Sequence, residues 1–232
     1  GLLRNPHLQS MLASSGFRRW WFRARHEELE KVSTEHILDC GDGVRLQGYF
    51  SPPPDGAYPR GLVVLLHGWE GSAQSSYIRN VGWRLRRAGL AVFRLNFRDH
   101  GESHHLNQEV FHSCRLDEVI GAVDAIAKLF PQRPLALAGF SLGGNFALRV
   151  GLNAPARGIP VERIVAICPA IRPHNVLTAI EDAPWFYNAY FMLKWRDSLR
   201  KKRELFPQAN SFDEATLKRD MRGLTEELVE RH

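Results

Sequence analysis

The chain has 232 residues, of which 44% are hydrophobic and 24% are charged, and its formal net charge is +6. This length suits one domain with a sizeable buried core, and this composition excludes a disordered, collagen-like or coiled-coil protein. No apolar run approaches the roughly 18 residues that span a bilayer, so the sequence does not predict an integral membrane protein.

Most of the excess positive charge lies in residues 194–203, which contain six basic residues and one acidic residue. Such a run is typical of a solvated helix face, and peripheral contact with an anionic membrane surface is the alternative interpretation. No nucleic-acid-binding motif accompanies the run, so no nucleic-acid partner is expected.

The three cysteines, Cys40, Cys114 and Cys168, lack the paired spacing of a zinc site or a disulfide framework. They are typical of buried thiols in a reducing compartment. Because the sequence as given also shows no secretory signal, we expect a cytoplasmic location. No metal site is predicted.

From residue 34 onward, short β-rich runs alternate with helical patterns. Two runs flank a glycine-rich turn and predict an antiparallel hairpin, at 34–39 and 44–50. Four nearly continuous apolar runs predict core strands buried on both faces, at 62–66, 90–96, 135–139 and 164–168. Helical patterns lie between these strands, at 77–87, 116–130 and 143–153. The alternation predicts an α/β fold, a mostly parallel sheet with helices on both faces.

The pattern changes after Cys168. Residues 185–206 are aromatic and then basic and predict a helix, residues 213–231 predict a charged helix, and no further strand is predicted. We therefore expect a single domain over 1–232, with an N-terminal extension at 1–33 and a helical, cap-like segment at 172–232.

The strongest chemical signal is the sequence Gly-Phe-Ser-Leu-Gly at 139–143, where a buried strand meets a helix. In this GxSxG pattern a serine on a tight turn exposes its hydroxyl, and the following helix directs its positive end toward a developing oxyanion. Ser141 is therefore the candidate nucleophile. The structural alternative is that Ser141 only caps the helix that begins at Leu142.

An oxyanion hole needs two amide donors. One follows the nucleophile and is Leu142, and the second is predicted at Trp69, because the sequence His-Gly-Trp-Glu-Gly at 67–71 follows the first core strand. We interpret His67 as a hydrogen-bonded structural residue, since it precedes the nucleophile instead of closing the order serine, acid, histidine.

Other polar residues are weaker candidates for the acid and the histidine that would act with Ser141. His100, His104 and His105 follow the second core strand and are expected in a solvent-exposed polar loop that Asp99 and Glu102 organise. His112 and Asp117 have an Hx4D spacing, but Asp117 is predicted in the first turn of a helix, where a carboxylate complements the helix dipole. The weakest candidates are His174, Asp182 and His232.

Four motifs carry a resemblance to a known family. They are RNPHLQ at 4–9, HGWEGS at 67–72, NFRDHGES at 96–103 and GFSLGGN at 139–145. In these motifs the chain resembles the α/β-hydrolase superfamily, specifically the YheT-like branch of predicted esterases and lipases. The resemblance implies that Ser141 is the nucleophile of a charge relay, that Trp69 and Leu142 occupy the oxyanion positions, and that no metal or organic cofactor is needed.

The chain also departs from that family. There the acid and the histidine follow two further core strands, which this sequence lacks, so the triad partners are expected beyond His232. The chain is expected to be a fragment of a longer protein, and a natural reduction that has lost hydrolysis is the alternative. The expected function is hydrolysis of hydrophobic or lipid-like carboxylic esters. The rivals are a non-catalytic binding or scaffold protein and a serine peptidase or thioesterase.

Six aromatic residues lie before or at the start of the basic run: Trp185, Phe186, Tyr187, Tyr190, Phe191 and Trp195. If they cover the carboxyl edge of the sheet, they form an apolar acyl-binding wall, which favours a lipid-like ester substrate. Ordinary packing of a helix onto the domain explains the cluster equally well.

Overall fold

The computed structural model describes residue 9 and residues 20–55, 60–131 and 134–231. The motif at 4–9 lies outside this range except for Gln9, as do His232 and much of the expected extension at 1–33. The described part of the extension forms helix α1, Arg23–Lys31, whose Leu29 is fully buried.

A six-stranded sheet forms the centre of the molecule. Its strands, in chain order, are β1 Thr34–Asp39, β2 Arg45–Ser51, β3 Leu62–Leu66, β4 Ala91–Leu95, β5 Leu135–Phe140 and β6 Val161–Ile167. Their order across the sheet is β1-β2-β4-β3-β5-β6. β1 and β2 pair antiparallel, β2 pairs antiparallel with β4, and the remaining pairs are parallel. The predicted hairpin and mostly parallel sheet are therefore confirmed.

Helices cover both faces of this sheet. They are α2 Ser76–Arg87, α3 Leu116–Leu129 and α4 Leu142–Asn153, each displaced from its predicted range by one residue at one end. Because side chains alternate along a strand, β3 contributes Val64 and Leu66 to the core under α3 and α4, and Leu65 to the core under α2. Apolar residues at every position of β3 therefore follow from burial on both faces.

Strand β6 departs from the prediction. It was expected to be buried on both faces, but Ile164, Val165 and Ile167 are 38%, 53% and 40% exposed. β6 pairs with β5 and packs against α4, and no other described strand pairs with it. An apolar run indicates that a strand forms, but it does not determine how many neighbours cover that strand.

Four helices follow β6: α5 Pro173–Glu181, α6 Trp185–Leu205, α7 Glu214–Lys218 and α8 Met221–Arg231. The single helix predicted at 213–231 is wrong, because two aspartates start separate helices. Asp213 accepts a hydrogen bond from the Thr216 amide at 2.7 Å, and Asp220 accepts one from the Gly223 amide at 2.8 Å. These helices share an apolar cluster of their own that includes Met192, Leu217 and Leu224.

Across the described ranges, every helix is too short or too polar to cross a membrane.

Candidate active site

Ser141 occupies the single position between β5 and α4. Its φ is +53°, a left-handed conformation that is strained for a residue other than glycine. Its amide donates to the Ile167 carbonyl at 2.9 Å, and its carbonyl accepts from the Ala170 amide at 3.1 Å, so the loop after β6 holds the turn. Gly143 permits close packing, since a Cβ there would lie 2.6 Å from the carbonyl carbon of Leu66.

The side chain of Ser141 is exposed and makes no capping hydrogen bond to α4. Its hydroxyl also makes no hydrogen bond to any other residue that the structure describes. The helix-capping alternative is therefore wrong, and the hydroxyl is available to a ligand.

The serine opens on a cavity of about 560 Å³ at the carboxyl ends of β3, β5 and β6. Trp69 and Leu142 line the same cavity, so the structure brings the three predicted site residues together. Its other walls are mostly apolar and include Val110, Phe111, Leu177, Ile180, Phe191 and Trp195. Among the described wall residues, none is Asp, Glu, Lys or Arg. Such a lining suits an apolar ligand.

His67 is fully buried beneath this cavity, and both of its ring nitrogens are engaged. Nε2 lies 3.2 Å from the Phe97 amide, which can only donate, so Nδ1 carries the ring proton and donates to the Gly68 carbonyl at 2.7 Å. Burial lowers the pKa of His67 well below its usual value, so the ring is neutral. The prediction of a structural histidine is confirmed.

The loop after β4 carries a buried ion pair. Asp99 accepts from the Lys202 ammonium at 2.6 Å and from the Phe111 amide at 2.8 Å, and Lys202 also donates to the carbonyls of His104 and Asn107. Burial raises the pKa of Asp99, and the ammonium of Lys202 partly offsets that rise. The prediction that Asp99 organises this loop is confirmed, and the pair also anchors α6 to it. Glu102 is exposed, and no contact of its side chain with a described residue supports the role predicted for it.

The predicted solvent exposure of this loop is wrong for two of its histidines. His100 and His104 are buried, at 5% and 7% exposure, and burial lowers the pKa of each to about 4. His100 Nδ1 bonds the Arg98 carbonyl at 2.7 Å, whereas His105 is exposed as expected. Within the described ranges, no histidine is hydrogen-bonded to Ser141.

The Hx4D pair does not form a site. Asp117 lies in the first turn of α3, as predicted, and its carboxylate is 81% exposed and pairs with Arg157 at 2.7 Å. His112 lies in the cavity wall instead.

The aromatic cluster of α6 divides into two sets. Phe191 and Trp195 line the cavity and pack on Trp69, at ring distances of 5.2 Å (stacked) and 5.4 Å (edge-on). Trp185 and Tyr190 are exposed instead, at 79% and 51%. Phe191 and Trp195 therefore pack on the domain and also line the cavity, and the acyl-binding role of the cluster stays a prediction.

The basic run at 194–203 is not one solvated face. Lys202 is fully buried, and Arg200 and Arg203 pair with Glu214 of α7 at 3.3 Å and 2.6 Å. The predicted solvated face is wrong for Lys202, whereas the side chains of Arg200 and Arg203 remain 39% and 28% exposed beside Glu214.

Several residues in or beside the cavity were not predicted to lie there. Glu70 follows Trp69 with a φ of +54°, and burial raises the pKa of its carboxyl to about 7. Tyr77 lines the cavity and bonds the Gly68 amide at 2.9 Å. Cys114 and Cys168, expected to be buried, are exposed and line the cavity. Among these residues, only Glu70 could have been singled out from the sequence, because it is the acidic residue of the His-Gly-Trp-Glu-Gly sequence.

The strand order, the helices on both faces and the strand–turn–helix at Ser141 are those of an α/β-hydrolase. The chain belongs to the family described as serine aminopeptidase, S33 (Hydrolase_4), which matches residues 57–227.

Proteins similar to this chain include two curated relatives and one solved structure. Monoacylglycerol lipase of Mycolicibacterium smegmatis is 28% identical over 66% of this chain and 52% of its own length. "Putative esterase YheT" of Escherichia coli is 29% identical over 70% of this chain and 45% of its own. Est1E of Butyrivibrio proteoclasticus, solved with ferulic acid bound, is 25% identical with a TM-score of 0.53, covering 62% of this chain and 56% of that one. This chain thus spans about half the length of these two relatives.

Proposed function

We propose that this protein is a serine hydrolase of hydrophobic, lipid-like carboxylic esters that forms an acyl-enzyme on Ser141. The observation that carries the proposal is the exposed Ser141 hydroxyl at a strained strand-to-helix turn, facing an apolar cavity of about 560 Å³. A hydroxyl held there without a structural hydrogen bond is free to attack a bound acyl group.

The reaction proceeds in two steps. The Ser141 oxygen attacks the ester carbonyl carbon, its proton passes to a general base, and the carbonyl oxygen becomes an oxyanion. The oxyanion accepts hydrogen bonds from the amides of Leu142 and Trp69. Leu142 is the first residue of α4, so its N–H has no partner within the helix. The bond to the leaving alcohol then breaks, and water hydrolyses the acyl-enzyme. Since no described histidine touches Ser141, the proposal assigns the base to none of them.

The cavity favours an ester over a peptide with a free N-terminus. An aminopeptidase must hold a substrate ammonium, and burying that charge without a carboxylate partner is costly. The described walls offer no carboxylate. The family description names an aminopeptidase, whereas the names of the two relatives above are those of a lipase and an esterase.

A non-catalytic binding protein is the second candidate. It is favoured by one observation, the absence of a hydrogen bond between any described histidine and the Ser141 hydroxyl. In that case the cavity would bind a hydrophobic ligand without turnover.

A fluorophosphonate probe, which reacts only with activated serines, distinguishes these candidates. The full-length protein is expected to be labelled, and Ser141→Ala is expected to lower both its labelling and its ester turnover by at least about a thousandfold. Ser211→Ala, which removes an exposed serine after α6, serves as the matched control and should label normally. Absence of labelling in the unmodified full-length protein would support the binding protein.

Substrate class is tested with a panel of p-nitrophenyl esters and aminoacyl p-nitroanilides. Esters with acyl chains longer than acetyl are expected to react fastest, because each methylene adds apolar contact. Faster hydrolysis of the aminoacyl anilides would overturn the ester assignment.

A further inference from the structure

Tyr77 lies at the start of α2 and places its hydroxyl beside the candidate oxyanion loop. The hydroxyl oxygen accepts a hydrogen bond from the Gly68 amide at 2.9 Å. The ring packs edge-on against Phe140, with ring centres 5.0 Å apart, and lines the same cavity as Ser141. Tyr77 therefore contacts both segments that meet at the site.

The glycines of this loop make room for that hydroxyl. A Cβ on Gly71 would lie 2.8 Å from the Tyr77 oxygen and 2.9 Å from the Gly68 carbonyl oxygen. A Cβ on Gly68 would lie 3.4 Å from the Cβ of Ser141. The loop, the tyrosine hydroxyl and the candidate nucleophile thus form one compact unit that tolerates no side chain at Gly71.

The hydrogen bonds of this unit fix two successive peptide planes. Tyr77 holds the N–H of Gly68, while the carbonyl of Gly68 accepts from the Gly71 amide at 3.0 Å and from His67 Nδ1 at 2.7 Å. In a trans peptide the C=O and the following N–H point in opposite directions. Holding the Gly68 carbonyl therefore directs the Trp69 N–H, which donates to no described residue, away from His67.

We propose that Tyr77 is a positioning residue, whose hydroxyl holds the Gly68 amide so that the Trp69 amide is preorganised for the oxyanion. The inference rests on the proposed function. Without this hydroxyl the Gly68 N–H loses its partner and the His67–Gly68 peptide can rotate, which tilts the adjoining Gly68–Trp69 peptide through the Gly68 Cα. An oxyanion donor that must be reoriented during the reaction stabilises the transition state less than one already in place.

Tyr77→Phe removes only the hydroxyl, and Tyr49→Phe on β2 is the matched control, since it removes another hydrogen-bonded tyrosine hydroxyl from a strand outside the cavity wall. For Tyr77→Phe we expect kcat to fall about 10- to 100-fold with KM within about twofold of the parent, because full loss of an oxyanion donor costs about 10²- to 10³-fold. Affinity for an alkyl trifluoromethyl ketone, which forms an oxyanion on a serine, should fall by the same factor as kcat. The melting temperature should fall by only about 2 to 4 °C, as for one lost hydrogen bond.

Two results would overturn the proposal: a kcat within about twofold of the parent, or an equal fall in kcat for Tyr49→Phe. Gly71→Ala provides a second test that keeps the hydroxyl but displaces it, and it should lower kcat in the same direction with KM unchanged. An unchanged kcat in a folded Gly71→Ala protein would also count against the proposal.

Amide exchange separates this inference from the proposed function. Tyr77→Phe is expected to accelerate hydrogen exchange at Gly68 by at least about fivefold, whether or not the protein turns over esters. If the parent does not hydrolyse esters but Gly68 exchanges faster in the variant, the proposed function is wrong. The contact by which Tyr77 positions the loop is then still supported. Unchanged exchange at Gly68 would overturn the positioning role itself.

Discussion

The sheet centre and the β6 edge have similar sequences but different surroundings. β5 and β6 are adjacent parallel strands, and both come from apolar runs, yet Leu137 of β5 is fully buried whereas Val165 of β6 is 53% exposed. Helices cover both faces of the centre, while β6 has one strand neighbour within the described ranges and packs on α4. The difference shows that local sequence selects the strand, and tertiary neighbours decide what each residue contributes to stability.

The two regions also differ in their polar groups. Near the centre lie the buried pair of Lys202 on α6 with Asp99 and the buried histidines, whereas the residues of β6 are mostly exposed. Substitutions near the centre should therefore change the free energy of unfolding strongly, and matched substitutions at the edge should change it little.

The largest contrast is expected between two glycines of the same helix. In Gly143→Ala the new Cβ would collide with the backbone carbonyls of Leu66 and His67, which cannot move without displacing β3. We expect a loss of more than about 5 kcal/mol in the free energy of unfolding, measured by urea denaturation. In Gly151→Ala the obstacle is the end of the Ile164 side chain on β6, which can rotate toward solvent. That variant should stay within about 1 kcal/mol of the parent, since alanine also favours the helix. Equal losses would contradict the comparison.

The buried ion pair should give the next largest effect. Lys202→Ala leaves the carboxylate of Asp99 buried and unpaired, which is expected to cost about 3 to 5 kcal/mol at neutral pH. The deficit should shrink as the pH is lowered, because the pKa of Asp99 is already raised by burial and protonation removes the unpaired charge. Lys201→Ala alters the exposed neighbour and should change stability by less than about 0.5 kcal/mol. A similar effect of both variants in urea denaturation would show that the pair contributes little.

The same apolar substitution in both regions measures packing alone. Val64→Ala in β3 empties a site that is fully buried, and it should cost about 2 to 3 kcal/mol. Val165→Ala in β6 should cost less than about 0.5 kcal/mol. If thermal unfolding showed equal costs, β6 would be covered in solution by something the described residues do not supply.

Glu70→Gln differs from the other variants, because it is expected to stabilise the protein. Burial raises the pKa of Glu70 from about 4.5 to about 7, so the fold favours the protonated carboxyl and this contribution is lost as the pH rises through that window. Glu70→Gln should therefore match the parent below pH 4 and exceed its stability by about 1 to 3 kcal/mol above pH 8. Glu162→Gln on exposed β6 should match the parent at both pH values. A flat difference between Glu70→Gln and the parent across pH would contradict burial of this carboxyl.

The sequence predicted the strands and the Ser141 turn because both depend on local signals. Apolar runs end where glycines begin, and GxSxG marks a strand-to-helix junction. The break between α7 and α8 could also have been predicted, because Asp220 stands three residues before Gly223 and caps a new helix. The burial of Lys202 could not be predicted from the sequence. Only its partner Asp99, 103 residues away, distinguishes it from the other basic residues of the run. Exposure of β6 depends in the same way on neighbours that the run itself does not specify.

The attachment of Ser141 to β6 has a consequence for how the proposed hydrolase activity would be lost on warming. The strained backbone of Ser141 donates to Ile167, the last residue of the least covered strand. Segments with few buried contacts fray before the rest of a fold. Fraying of β6 would relax the serine backbone while the central strands remain intact, so heat inactivation is expected below the temperature at which the sheet melts.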